Sequence, residues 1–280
     1  MKTYQVLLCA LGTLAVVART DAQTLYGATS SGSGELYILN PATGGILQDV
    51  GPLNDSSANN YSVTGLAFDP ITGVLYGSTG GVTGTELLSI NPFTGSVNVI
   101  GSFNTGISGN TMADLAFDHS GDLFGVGSTG GPNLYSINLG TGQATLVGSS
   151  GLTFTVGGGL AISSAGAFYG APQNGLFGTY NPTTGAYNNI TTPTYPEGSA
   201  SSFAALTFDG SILYGDNLAG NGGSGSTHLV TIDPATGAVT DIGPSVTHLD
   251  AIAFSVPEPT ALALAGLSGL SLLLFRRQRK

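Results

Sequence analysis

Gly65-Leu66-Ala67-Phe68-Asp69-Pro70-Ile71-Thr72-Gly73-Val74-Leu75-Tyr76-Gly77 is the stretch that decides the fold. Two short apolar runs flank a five-residue turn. In such a turn Asp bonds back to the chain, Pro presets φ and Gly accepts a positive φ. The pattern predicts an antiparallel hairpin. What makes it decisive is that the chain repeats it.

The Leu-Ala-Phe run returns as Asp114-Leu115-Ala116-Phe117-Asp118, Gly159-Leu160-Ala161-Ile162-Ser163, Ala205-Leu206-Thr207-Phe208-Asp209 and Ala251-Ile252-Ala253-Phe254-Ser255. The Leu-Tyr-Gly run appears at Leu25-Tyr26-Gly27, Leu75-Tyr76-Gly77, Leu123-Phe124-Gly125, Phe168-Tyr169-Gly170 and Leu213-Tyr214-Gly215, in steps of 50, 48, 45 and 45 residues. A turn also recurs five times: Asn40-Pro41-Ala42-Thr43-Gly44, Asn91-Pro92-Phe93-Thr94-Gly95, Asn138-Leu139-Gly140-Thr141-Gly142, Asn181-Pro182-Thr183-Thr184-Gly185 and Asp233-Pro234-Ala235-Thr236-Gly237. Each unit reads as four short strands, the last pair joined by this turn.

Five four-stranded units of this length predict an all-β fold, a five-bladed β-propeller of antiparallel blades over residues 23–255. An open β-solenoid or a pair of β-sandwiches is the rival architecture. Solenoid coils have shorter periods, and a sandwich has no reason for five matched copies. The chain opens on a Leu-Tyr-Gly strand and ends on a Leu-Ala-Phe strand, so the last strand is expected to complete the first blade. Gly after Leu-Tyr suits a crowded position near the central channel.

Charge is distributed unusually. All six Lys and Arg residues lie at the two ends: Lys2, Arg19, Arg276, Arg277, Arg279 and Lys280. Between Gln23 and Ser255 there is no Lys or Arg, against 14 carboxylates (16 in the chain, less Asp21 and Glu258). No Lys or Arg ion pair can form there, and phosphate or Schiff-base chemistry by those residues is excluded. The sign of the charge argues against nucleic acid as a partner.

The ends read as address signals. Lys2, the apolar run Val6–Val17 and Thr20-Asp21-Ala22 have the layout of a secretory signal peptide, residues 1–22. Cys9, the one cysteine, lies inside it, so the mature chain has no disulfide, thiol nucleophile or thiolate metal site. At the other end, residues 256–280, Pro257, Glu258 and Pro259 precede an uncharged run from Ala261 to Phe275, and Arg276, Arg277, Arg279 and Lys280 close the chain. As a helix the run spans roughly 22 Å, short of a bilayer's roughly 30 Å hydrocarbon core but able to sit in it if the flanking arginines snorkel. The basic end would stay cytoplasmic.

This tail resembles the PEP-CTERM signal of exported bacterial proteins, with Pro257-Glu258-Pro259 as the sorting motif and Arg276, Arg277, Arg279 and Lys280 as the basic anchor. The resemblance implies transient membrane anchoring, cleavage near the motif by a membrane protease of the exosortase type, and release to the envelope or outside. The repeat body also looks like the propeller-like domains found ahead of such tails, which carry no established activity.

Candidate chemistry is sparse. His119, His228 and His248 have no metal-ligand spacing. Asp114, Asp118 and Asp122, four apart, are the candidate metal ligands, with Asp114 and Asp118 expected on one face. They read either as a calcium loop or as a hairpin with polar tips, and the full Asp-x-Asp-x-Asp-Gly pattern is missing. No cofactor is expected beyond weak Ca²⁺ association. No Gly-x-Ser-x-Gly elbow occurs, and the Gly-rich stretches lack the helix that a phosphate cradle needs. Tyr26, Tyr76, Phe124, Tyr169 and Tyr214 form either a sugar-stacking ring in the channel or packing between blades, and recurrence in every unit favours packing. The expected role is a non-catalytic cell-surface or matrix protein that binds extracellular polysaccharide or an envelope protein. The alternative is an extracellular hydrolase or lyase acting on polysaccharide. Three acids near one rim would favour the enzyme, and scattered turn acids would disfavour it.

Overall fold

The computed structural model describes residues 23–256, except 32, 80–84, 154–157, 173–174, 194–201 and 218–225. The propeller forms one unit, Gln23–Val256. The expected signal peptide, the motif Pro257-Glu258-Pro259, the apolar run and the basic anchor lie outside the described residues. No helix among the described residues is long and apolar enough to cross a membrane.

Every described element is a strand. Blade one contains β1 (Leu25–Thr29), β2 (Glu35–Leu39) and β3 (Ile46–Pro52). Blade two is β4 (Val63–Phe68), β5 (Leu75–Thr79), β6 (Glu86–Ile90) and β7 (Val97–Ser102). Blade three is β8 (Met112–Phe117), β9 (Leu123–Gly127), β10 (Leu134–Ile137) and β11 (Ala144–Gly148). Blade four is β12 (Gly159–Ile162), β13 (Phe168–Ala171), β14 (Phe177–Tyr180) and β15 (Tyr187–Thr191). Blade five is β16 (Phe203–Asp209), β17 (Ile212–Asn217), β18 (Ser226–Ile232) and β19 (Val239–Thr247). The last strand, β20 (Leu249–Phe254), returns to blade one, whose order is β20-β1-β2-β3.

That return closes the ring as the sequence predicts. Leu25 pairs with Phe254, Tyr26 with Ala253, and Gly27 with Ile252. Beyond the strands, Ser255 N donates to Thr24 O (2.9 Å) and Thr24 N to Ser255 Oγ (2.9 Å). The innermost strands then neighbour one another cyclically, β20 to β4 to β8 to β12 to β16 and back to β20. Each runs from a loop end, where the long connections enter the blades, to a turn end, where a tight turn leads to the second strand.

Adjacent blades are held by aromatic pairs. Tyr26 packs on Phe68 (ring centroids 5.3 Å apart), Tyr76 on Phe117 (5.5 Å), Tyr169 on Phe208 (5.7 Å) and Tyr214 on Phe254 (5.0 Å). In each pair the Leu-Tyr-Gly aromatic of one blade meets the Leu-Ala-Phe ring of the next. Blade four has Ile162 where the others have Phe, and Phe124 turns instead to Phe168 (4.9 Å). Of the two readings of these aromatics, packing between blades is the one realised. Such pairs add about 0.5–1.5 kcal/mol each beyond the area they bury. The Gly that follows is crowded by side chains, not by the channel axis: a Cβ on Gly27 would lie 2.7 Å from both Leu249 and Leu39, and one on Gly77 2.8 Å from Ile90.

The Asn-Pro-x-Thr-Gly turn has two jobs. Inside it, the Asn or Asp side chain accepts from the backbone N–H two residues on: Ala42, Phe93, Gly140, Thr183 and Ala235, at 2.8–2.9 Å. Its Gly takes φ of +70° to +76° in all five copies. Outside it, all five glycines press on the outer strand of the preceding blade, Gly237 on the Thr191 side chain and the other four on a backbone carbonyl. A Cβ at Gly95 would come 2.8 Å from Pro52 O, at Gly142 2.3 Å from Gly101 O, at Gly185 2.4 Å from Gly148 O, and at Gly44 2.8 Å from Gly243 O across the closure. The turn is thus also a blade-to-blade contact.

Candidate functional site

The channel along the propeller axis has two chemically different ends. At the turn end it opens as a small funnel of about 140 Å³. Its wall is Ala67, Ala116, Ala161, Thr207 and Ala253, with His119 and Asp118 at the lip. Below lies a layer of fully buried side chains, Leu66, Leu115, Leu160, Leu206 and Ile252, one from each blade. Small residues above a large-residue layer follow from the repeat itself, since Leu-Ala places one of each on every innermost strand. The funnel carries no carboxylate pair in its apolar wall.

The loop end is polar, and carboxylates dominate it. Asp114, on β8, is fully buried. Its Oδ1 accepts from Leu115 N (2.9 Å) and its Oδ2 from Leu160 N (2.8 Å) and Leu206 N (2.9 Å). Leu160 belongs to blade four and Leu206 to blade five, which is not blade three's neighbour in the ring. One side chain therefore spans the axis and ties three blades together. Burial pushes the Asp114 carboxyl well above its ordinary pKa, the three N–H donors pull it back, and nearby Asp216 raises it further.

Asp216, near the end of β17, is equally buried. A bulge in β16 sets Ala204 and Ala205 opposite it, and Ala205 N donates to Asp216 Oδ1. Oδ2 has no hydrogen-bond partner among the described residues. Burial raises this carboxyl well above its usual range, the charge of Asp250 adds to the shift, and the backbone N–H groups of Ala205, Asp216 and Ala204 work against it. Asp250 sits in a bulge of β20, between Leu249 paired with Thr29 and Ala251 paired with Ala28. Burial of its carboxyl pushes the pKa up to about 6, while a hydrogen bond with Ser30 and the proximity of His248 work against the shift. His248 takes a left-handed φ of +61°, and its carbonyl accepts from Ser30 N (3.2 Å).

The candidate trio does not assemble, and the hairpin with polar tips is the reading that fits. Asp118 and Asp122 share the turn after β8, where Asp118 Oδ1 accepts from Ser120 N (2.8 Å) and Asp122 N (2.9 Å). Asp114 lies toward the other end of the same strand, its oxygens committed to backbone N–H groups. Spacing by four puts residues on one face of a strand, but not at one end of it. The histidines are also dispersed: His119 at the funnel lip, His228 against Asp241 (3.0 Å), His248 beside Asp250. Among the described residues no group of three or more His, Cys, Asp or Glu side chains converges as a metal site.

Sequence reasoning passed over Asp216 and Asp250. A signal was present in the repeat. Asp216 follows Leu-Tyr-Gly where other copies carry Ala28, Ser78, Val126 and Ala171, and Asp114 precedes Leu-Ala-Phe where the others carry Gly or Ala. A carboxylate replacing a small or neutral side chain in one copy of five marks a copy with its own task.

Comparison with known proteins agrees with this anatomy. Residues 255–280 match the model of the PEP-CTERM protein-sorting motif. The chain matches no curated protein. Among solved structures it is similar to one described as the crystal structure of a nidogen/laminin complex, at 14% identity and a TM-score of 0.53, over 84% of this chain and 98% of that one. It is also similar to a protein of unknown function from Bacteroides caccae, at 14% identity and a TM-score of 0.50, over 84% of this chain and 99% of that one. At that identity the likeness speaks to the fold. The chain is an exported propeller that carries an exosortase sorting signal.

Proposed function

We propose that the propeller is a non-catalytic binding or structural domain of the cell envelope or extracellular matrix, and that its partner is an extracellular polysaccharide or another envelope protein. The observation that carries this is the state of the carboxylates. Glycoside hydrolysis needs two acids facing a substrate roughly 5–9.5 Å apart. Here Asp114 and Asp216 have no exposed surface, and Asp114 spends both oxygens on backbone N–H groups. Three acids nearer the surface are spent on turns: Asp55 accepts from Ser57 N and Asn59 N, Asp118 from Ser120 N, and Asp233 from Ala235 N. Neither set offers a substrate a pair of free carboxylates.

Incubation of the exported protein with its host's exopolysaccharide tests the reading. Retention of protein on the polysaccharide with chain length unchanged supports it. Shortened chains would establish the hydrolase or lyase instead. Intact-mass analysis of the exported protein reports the tail independently: loss of mass equal to the residues beyond the Pro257-Glu258-Pro259 region is the expected result.

A further inference from the structure

We propose that the loop end of the channel binds one divalent cation, calcium in the extracellular setting, between Asp216 of β17 and Asp250 of β20. The first ground is Asp216 Oδ2, an oxygen of a fully buried carboxyl that accepts no hydrogen bond among the described residues. A buried polar atom left without a partner costs about 1–3 kcal/mol, and native structures rarely leave one so. The second ground is where this oxygen lies. β17 and β20 are neighbours across the junction of blades five and one, and Asp250 sits unpaired in the bulge of β20. Ser30, beside Asp250, adds a hydroxyl oxygen.

The third ground is the chain's composition. An acid pair with one buried and one half-buried member is commonly balanced by Arg or Lys, and no such residue exists between Gln23 and Ser255. Among the described residues His248 lies close enough to Asp250 to work against its shift, and Asp114, near Asp216, is itself acidic. In its ionised state this pair has no Lys or Arg of residues 23–255 to balance it, and a bound cation supplies the countercharge. Calcium suits the donors, all of them hard oxygens: two carboxylates match its charge, and Ser30, backbone carbonyls and water fill a flexible shell. Two acidic ligands place the site among weak extracellular ones, with dissociation constants of about 10⁻⁴–10⁻³ M. This site is separate from the Asp114, Asp118 and Asp122 trio and does not depend on what the propeller binds.

The test is thermal melting of the exported protein in EDTA, then in millimolar CaCl₂, then in NaCl of equal ionic strength, together with calcium titration calorimetry. The variants are Asp216→Asn, Asp250→Asn and, as control, Asp118→Asn. The expected result is a calcium-specific rise in melting temperature and one site per chain in the parent and in Asp118→Asn, with affinity at least tenfold weaker in Asp216→Asn and in Asp250→Asn. If Asp216→Asn does not fold, the partly exposed Asp250 position decides alone. No rise in the parent, a rise matched by NaCl, or full affinity in Asp250→Asn would overturn the proposal.

Discussion

Tyr214 of blade five and Phe254 of the C-terminal strand lie ring to ring, 5.0 Å apart, at the seam of the propeller. The same contact joins Tyr26 to Phe68 and Tyr76 to Phe117, at junctions where the chain is continuous. The seam is therefore packed like an ordinary blade junction, although it joins residues far apart in sequence. It differs in loop length: closing it brings together residues more than two hundred positions apart, and such distant contacts are expected to form slowly.

Phe254→Ala is expected to lose about 3–5 kcal/mol, the range for truncating a buried Phe. Phe93→Ala, at a ring 79% exposed on a turn, is expected to stay within about 0.5 kcal/mol. Urea denaturation of both proteins measures the difference. A Phe254→Ala cost below about 1 kcal/mol would mean that the seam contributes little to holding the ring closed.

Asp114→Asn separates an axial tie from a simple space-filler. The amide is nearly the same size, but one of its two ends carries donors. Whichever way it turns, at least one of Leu115 N, Leu160 N and Leu206 N meets an N–H instead of an oxygen. The expected loss is about 1–3 kcal/mol. Hydrogen exchange gives a second readout, with faster exchange at Leu160 and Leu206, in two different blades, at once. Unchanged stability would show that the carboxylate only fills the channel.

Much of this fold was legible because one unit is written five times. Leu-Ala-Phe, Leu-Tyr-Gly and Asn-Pro-x-Thr-Gly each encode a local geometry, and their offset at the two ends encodes the closure of β20 on β1. The candidate site was far less legible, for a reason in the geometry. Asp114, Asp118 and Asp122 look related because they are near in sequence, yet a strand carries them to opposite ends of a blade. Asp216 and Asp250 are 34 positions apart in the numbering, and the charge of one reaches the other only because the ring closes. Ring closure is a statement about backbone, and it leaves open which side chains the bulges in β16 and β20 turn toward each other. The second role of the turn glycines was hidden likewise, since a positive φ alone accounts for Gly in the motif.

Gly73 and Gly142 separate those two roles. Both are left-handed, with φ of +71° and +76°. A Cβ on Gly73 meets nothing within 4 Å, whereas one on Gly142 would lie 2.3 Å from Gly101 O. Gly73→Ala is expected to cost about 1–2 kcal/mol, the conformational penalty alone. Gly142→Ala is expected to cost clearly more, because blade three must also move off blade two. Equal costs in chemical denaturation would reduce the turn to a local device.

The buried carboxyls set how stability responds to pH, and the sign follows from their direction of shift. In the unfolded chain Asp250 titrates near 3.9. In the folded chain burial holds it up to about 6. Between those values the folded state binds more protons than the unfolded, so unfolding free energy falls as pH rises. The contribution is fully present below about pH 4 and is lost as pH climbs through about 6; Asp114 and Asp216 are shifted in the same direction. In EDTA, melting temperature is expected to be higher at pH 5 than at pH 7.5, the opposite of a protein whose carboxylates are held by Lys and Arg. Asp250→Asn removes the titrating group and keeps its size, so its melting temperature is expected to change less between the two pH values. A parent protein more stable at pH 7.5 than at pH 5 would mean that the acids at the loop end are solvated as anions and not buried.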